Sequence, residues 1–130
     1  MDGGRCIRTV GIVVDYHNHR WMTPTNDRLH GHLDLLILSL LTGGSMHGWA
    51  IAGRLRILSD QVFEVGQGSI YPALRRLEAA GWISAKVAVS EAGRRARFYS
   101  LTPAGRRQLA AERDDWADFA SAVQRVLDAV

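Results

Sequence analysis

Cysteine is almost absent from this chain: Cys6 stands alone among 130 residues. An intrachain disulfide is therefore excluded, and we expect a reducing compartment, the cytoplasm. Long apolar runs are missing too. No segment reaches the roughly 18 residues of a membrane-spanning helix, which excludes that kind of membrane partner. The first residues, MDGGRCIRTVGIVVDYHNH, lack the layout of a secretory signal, because their apolar stretch is short and broken by Arg8 and Gly11. Charge of one sign is scarce overall, with a formal net charge of only +3. Any electrostatic partner must then be argued from where the charges lie. Catalytic patterns are lacking as well: there is no nucleophile–base pair, no phosphate-binding glycine loop and no carboxylate pair in a plausible cleft, so neither an enzyme nor a cofactor is expected. His17, His19, His30 and His32 come in pairs two apart. That spacing is not the i, i+4 arrangement of helical zinc ligands, and no second cysteine completes a shell, so no metal is expected.

The basic residues are concentrated instead. Arg75, Arg76, Lys86, Arg94, Arg95, Arg97, Arg106 and Arg107 fall between Gly68 and the start of the last helix, opposed only by Glu78 and Glu91. Beyond Arg107 acidic residues dominate: Glu112, Asp114, Asp115, Asp118 and Asp128 against Arg113 and Arg125. The basic segment reads as three elements. Ser69 is expected to cap a helix, which places Pro72 in the first turn, where a missing N–H does little harm. Ile70, Leu74 and Leu77 make its buried stripe, leaving Tyr71, Arg75, Arg76 and Glu78 on other faces. Gly81 supplies a left-handed stop. Lys86 to Val89 and Arg97 to Leu101 are expected strands, joined by SEAGRR. Thr102 followed by Pro103 then starts another helix. A helix able to enter a groove, beside an arginine-tipped hairpin, is the layout of a winged helix-turn-helix that binds DNA.

Three pieces carry a family resemblance: HGW at His47 to Trp49, SIYPALRRLEAAGWI at Ser69 to Ile83, and GRRARFYSLTPAG at Gly93 to Gly105. In this order and spacing the chain resembles the PadR family of bacterial transcriptional regulators over roughly residues 29 to 130. It is similar to the compact branch, in which one helix follows the winged domain. The resemblance implies an α+β fold, mainly α with a small β-hairpin: a winged helix-turn-helix plus a C-terminal dimerisation helix. It also implies a double-stranded DNA operator as partner. Ser69, Tyr71, Pro72, Arg75 and Arg76 are expected at the major groove or its flanking phosphates. Lys86, Arg94, Arg95 and Arg97 are expected to set the hairpin on the backbone or in the minor groove. Some such regulators line a cavity at the dimer centre with an aromatic residue of the last helix, so Trp116 is a candidate for a small hydrophobic effector. Filling the dimer core is the plainer role for the same side chain.

The flanking segments complete the reading. Leu33, Leu35, Leu36, Ile37, Leu38, Leu40 and Leu41 form a helix apolar on all sides, which needs cover on more than one face. The next helix, about Gly48 to Leu58, is expected to bury Trp49, Ala52, Leu55 and Leu58. Its Gly53 calls for a close helix contact to offset about 1 kcal/mol relative to alanine. His47 is expected to cap or pack. The last helix carries a heptad seam of Leu109, Trp116, Val123 and Val130, with Phe119, Ala120, Val126 and Leu127 between. We therefore expect a homodimer joined through Leu36, Leu40, Leu109, Trp116, Phe119, Val123 and Leu127, with two recognition helices about one DNA turn apart. The domains expected are a loosely ordered extension over 1–28, a DNA-binding unit over 29–103 and a dimerisation helix over 104–130. Two readings of the extension stay open: an over-long reading frame whose natural start is Met22, or an arm adding phosphate contacts through Arg5, Arg8 and Arg20. Val10 to Val14 would suit a strand. The expected function is sequence-specific transcriptional regulation, as a repressor released by a small molecule or stress signal. The rival is a winged-helix module that binds protein rather than DNA.

Overall fold

The computed structural model describes residues 32–130. The expectations for Val10 to Val14, Met22 and the histidines before His32 lie outside that range. The order of elements is α1 (Leu33–Leu40) running into a 3-10 turn (Leu41–Gly43), α2 (Gly48–Leu58), α3 (Gln67–Ala79), β1 (Ile83–Val89), β2 (Arg95–Leu101) and α4 (Pro103–Ala129). Among the described residues, four helices and one antiparallel hairpin make an α+β winged helix. The hairpin register pairs Ile83 with Leu101, Lys86 with Phe98 and Val89 with Arg95. Met46 adds a short bridge to β2 through its hydrogen bonds with Tyr99 at 2.9 and 3.1 Å.

One core ties these elements together. Leu33, Ile37 and Leu38 of α1, Leu41 of the 3-10 turn, Ile51 and Leu55 of α2, Ile70, Ala73, Leu74 and Leu77 of α3, Ile83 and Tyr99 of the hairpin, and Leu109 of α4 are all buried. The stripe expected on α3 is the one observed. On α2 the stripe is displaced. Gly48, Ile51 and Leu55 face inward, while Trp49 is 72% and Leu58 60% exposed. The periodicity of α2 allows two neighbouring stripes, and the tight approach of Gly48 to α3 selects the one without tryptophan: a Cβ at Gly48 would lie 3.1 Å from the Gln67 side chain. Gly53 has no close helix contact, since nothing lies within 4 Å of where its Cβ would be. The expected compensation is therefore absent, and Gly53 keeps its intrinsic cost.

The start of α3 also differs from expectation. Gly66 is the N-cap and Gln67 the first helical residue, with no side-chain cap. The Ser69 and Ile70 N–H groups both donate to the Gly66 carbonyl, at 3.0 and 3.1 Å. Ser69 is thus already inside the first turn, and Pro72 lies in the second, where its ring removes the donor that would reach back to Gly68. The C-terminal stop is as expected, with Gly81 at φ 82°. At the start of α4, Thr102 caps as expected, its hydroxyl accepting from Gly105 N–H at 3.0 Å and donating to the Gly81 carbonyl at 2.7 Å. Only glycine fits at position 105: a Cβ there would stand 1.9 Å from the Trp82 carbonyl oxygen. That contact locks the last helix onto the base of the hairpin.

Candidate nucleic-acid interface

The exposed side of α3 is set by what its buried side holds. Ile70, Ala73, Leu74 and Leu77 point inward, so Gly68, Ser69, Tyr71, Pro72 and Arg75 form the outward face. On either flank of that face stands an arginine–carboxylate pair. Arg76 donates to Asp34 on α1. On the opposite flank, Glu78 accepts two hydrogen bonds from Arg97 of β2, at 3.0 and 3.2 Å. The two pairs fasten the helix to α1 on one side and to the hairpin on the other. Both are partly exposed, so each contributes modestly to stability, about 0–1 kcal/mol; what they fix is the attitude of the helix. The contact with Tyr99, and next the Glu78 carboxylate, push the Arg97 pKa further up. An arginine is charged throughout in any case, so the consequence is positional.

Between the start of α2, Tyr71 and the hairpin lies an open groove of about 900 Å³, lined by His47, Gly48, Trp49, Tyr71, Arg94, Arg95 and Arg97 among others. Strand alternation puts Val87, Val89, Arg95 and Arg97 on the hairpin face shared with the core residues Ile83 and Tyr99. Lys86 falls on the other face with Phe98 and does not line the groove. The hairpin turn is held by Ser90 and Arg94, whose backbone groups hydrogen-bond at 2.7 Å, and it leaves the Arg94 and Arg95 side chains exposed. Among the described residues, no carboxylate lies within ion-pairing distance of Arg75, Arg94 or Arg95. The residues expected at DNA therefore divide. Ser69, Tyr71, Pro72, Arg75, Arg94 and Arg95 are presented outward, Arg76 and Arg97 are engaged by carboxylates, and Lys86 points elsewhere.

Trp49 of the groove and Gln67 of α3 have roles that the sequence does not announce. The expected α2 stripe puts Trp49 in the core, yet its indole is the most exposed aromatic side chain among the described residues and stands at the groove wall. Gln67 sits at the first turn of α3, its amide reaching the Gly48 carbonyl at 3.4 Å while its own carbonyl oxygen is buried without a partner. The signal that could have found Trp49 is the alternative stripe of Gly48, Ile51 and Leu55. His47 does cap α2, its Nδ1 accepting from Ala50 N–H at 3.2 Å.

A second cavity, about 470 Å³, opens between α1 and α4. Trp116 and Phe119 line it with His32, Asp34, Glu112 and Asp115. The His32 and Trp116 rings meet edge to face, centroids 4.9 Å apart. Beyond this cavity α4 carries an uncovered apolar face: Phe119 is 58% and Leu127 59% exposed, Trp116 and Val123 somewhat less. Leu109 is not part of that face, being buried in the core of its own domain. Leu36 and Leu40 are half-buried against the same core.

A winged helix with an outward helix face and a basic hairpin beside it defines a transcriptional regulator of the winged-helix class. Residues 37–111 match the Transcriptional regulator PadR-like family, and the chain belongs to that family. It is 38% identical over 79 residues to the transcriptional regulator Rv3488 of Mycobacterium tuberculosis, a match covering 61% of this chain and 70% of that one. Among solved structures it resembles a transcriptional regulator from Clostridium thermocellum (TM-score 0.70, 28% identity, 76% of this chain and 96% of that one). It also resembles a PadR-like transcriptional regulator from Bacillus cereus (TM-score 0.68, 26% identity, 78% of this chain and 96% of that one). Among the described residues no helix is long and apolar enough to cross a membrane.

Proposed function

We propose that this regulator is a homodimeric, sequence-specific DNA-binding repressor, acting in the cytoplasm and released by a small hydrophobic effector. The observation that carries the DNA reading is the groove: Tyr71 of α3 and Arg94 and Arg95 of the hairpin face one open concavity. A helix face of small and aromatic groups beside exposed guanidinium groups suits base edges on one side and phosphates on the other. In this reading residues 29–103 bind DNA and 104–130 dimerise. Ser69, Tyr71 and Arg75 read the major groove, Pro72 shapes that face, and Arg94 and Arg95 hold phosphates. Trp49 joins them at the groove wall, where its indole N–H suits a phosphate oxygen. Arg76, Arg97 and Lys86 contribute at the margins. The dimer reading is carried by the uncovered face of Trp116, Phe119, Val123 and Leu127. Repression is the simplest action of such a dimer, since occupying a promoter excludes other proteins from it.

The rival reading, a winged-helix module that binds protein, predicts affinity insensitive to the hairpin arginines. Sequencing the DNA fragments retained by the purified protein, followed by titration of a recovered fragment across salt, separates the two. A recurrent motif with steep salt dependence supports DNA recognition; random fragments with a flat dependence overturn it.

A further inference from the structure

Trp49 presents more ring than a duplex can use. Its indole is 72% exposed at the wall of the groove. In the same concavity lie Tyr71, 39% exposed, and Val87, 47% exposed. In duplex DNA each base has both faces covered by its neighbours. An operator therefore offers this wall sugars, phosphates and base edges, and the flat face of the indole stays without a partner. We propose that the groove is also the binding site of a free purine nucleoside polyphosphate, its base stacked on Trp49 and its phosphates on Arg94 and Arg95, and that this ligand displaces DNA by occupying its place. The inference rests on the reading of this groove as the DNA interface and adds a ligand that regulates it directly.

Each part of the groove suits one part of the nucleotide. Its volume of about 900 Å³ falls within the roughly 300–1,000 Å³ of small-ligand sites, which pair an apolar wall with a few convergent polar groups. Trp49, Tyr71 and Val87 supply the apolar wall. A base has a π-face to set against it, and a purine offers more of that face than a pyrimidine. Arg94, Arg95 and Arg97 all line the groove, and Arg97 is held by Glu78. Arg94 and Arg95 are exposed, and their planar guanidinium forks match phosphate oxygens. Among the described residues Glu91 is the single carboxylate in the lining. A carboxylate only accepts hydrogen bonds. Glu91 therefore favours a ligand that carries ribose hydroxyls over a bare polyphosphate.

Exclusion of DNA follows from the shared groups. Arg94 and Arg95 cannot hold a nucleotide's phosphates and an operator's backbone together. A base lying on Trp49 also fills the concavity between α3 and the hairpin. The nucleotide thus binds only the DNA-free protein, and its effect has a fixed form. At a concentration ten times its own dissociation constant, DNA affinity falls about elevenfold for each groove that must be vacated. By linkage, bound duplex weakens the nucleotide in the same proportion.

The test uses the full chain with ATP, adenosine and inorganic tripolyphosphate, in buffer free of divalent cations. Titration calorimetry should show ATP binding at least about fivefold more tightly than either fragment, the lower bound for one base–aromatic stack. ATP should quench tryptophan emission, and Trp49→Phe should remove that quenching while the other tryptophans still emit. Trp49→Ala should weaken ATP roughly five- to hundredfold and tripolyphosphate far less. Replacing Arg94 and Arg95 together by alanine should weaken ATP and tripolyphosphate alike. ATP should displace bound duplex with the proportionality given above, and in Trp49→Ala the displacement should need correspondingly more ATP. Tripolyphosphate binding as tightly as ATP overturns the inference, because the groove is then a patch for any polyanion. So does ATP binding that survives Trp49→Ala unchanged, or ATP binding that leaves DNA affinity unaltered. A short single-stranded oligothymidylate that binds more than about tenfold tighter than ATP makes the groove a track for single strands, and overturns it too. A chain that binds ATP as expected and no duplex overturns the proposed function instead, and the nucleotide site then stands on the calorimetry. Thermal melts of the variants, compared with the wild type, show that each binding change comes from a folded protein.

Discussion

Two carboxylates decide which arginines of the interface are at liberty. Asp34 and Glu78 engage Arg76 and Arg97, whereas Arg94 and Arg95 have no such partner among the described residues and project from the hairpin turn. Guanidinium groups without a carboxylate meet phosphates with nothing to give up. Replacing both Arg94 and Arg95 by alanine should flatten the salt slope of DNA binding by about 1.8 per hairpin, which is 0.9 for each phosphate no longer neutralised. All sequences should be weakened alike. Arg75→Ala and Tyr71→Ala should instead change the preferred sequence, read by competition between operator and unrelated DNA. An unchanged slope in the double variant removes the hairpin from the DNA interface. Gly105 offers a test of the scaffold. A Cβ there would stand 1.9 Å from a backbone oxygen, which no rotamer change relieves. Gly105→Ala should cost at least the 1–3 kcal/mol typical of overpacking, measured by urea denaturation.

At the scale of the element, legibility follows the strength of the local signal. The cap at Thr102 and Pro103, the stop at Gly81 and the stripe of Ile70, Leu74 and Leu77 are each specified by adjacent residues, and the structure has them where the sequence predicts. The beginning of α3 is harder to read, because Gly66 and Gln67 carry no capping side chain and Ser69, a good cap by type, is enclosed in the first turn. The face of α2 is harder still. Its apolar residues fit two stripes, and the choice rests on a contact between Gly48 and α3 that no local pattern contains. The two ion pairs of α3 join residues far apart in sequence, which is why Arg76 and Arg97 read as unengaged cations. The cap itself can be weighed: Thr102→Ala removes both the bond from Gly105 N–H and the one to the Gly81 carbonyl. A loss of about 1–2 kcal/mol is expected in a thermal or urea melt, at the upper end for an N-cap. A loss within error would show that the Gly105 packing alone positions α4.

Among the described residues, the arginines of the groove and the longest uncovered apolar stripe lie on different elements. The hairpin and α3 present arginines; the far part of α4 presents Phe119, Val123, Val126 and Leu127, flanked by Asp115, Asp118 and Asp128. Helix α4 spans 27 residues, about 40 Å, and only its first turns reach the core, where Leu109 is the last buried side chain. A helix that continues so far beyond its own domain with one apolar face is stabilised by burying that face, and a second copy arranged by two-fold symmetry covers both faces at once. Val123 lies in the middle of the stripe and is 41% exposed in the single chain. Val123→Asp would set an unpaired carboxylate, with its symmetry mate, inside that contact. The cost of leaving a buried charge unpaired is several kcal/mol, on the order of 3–5, so the dimer should dissociate at concentrations where the wild type is fully paired. Sedimentation velocity at micromolar concentration reads this directly, and the winged domain of the variant should remain folded because its core ends at Leu109. DNA affinity should fall with dimerisation, since one recognition helix then binds without the other. A wild-type chain that sediments as a monomer at these concentrations would leave the α4 face without a partner of its own kind and overturn the dimer.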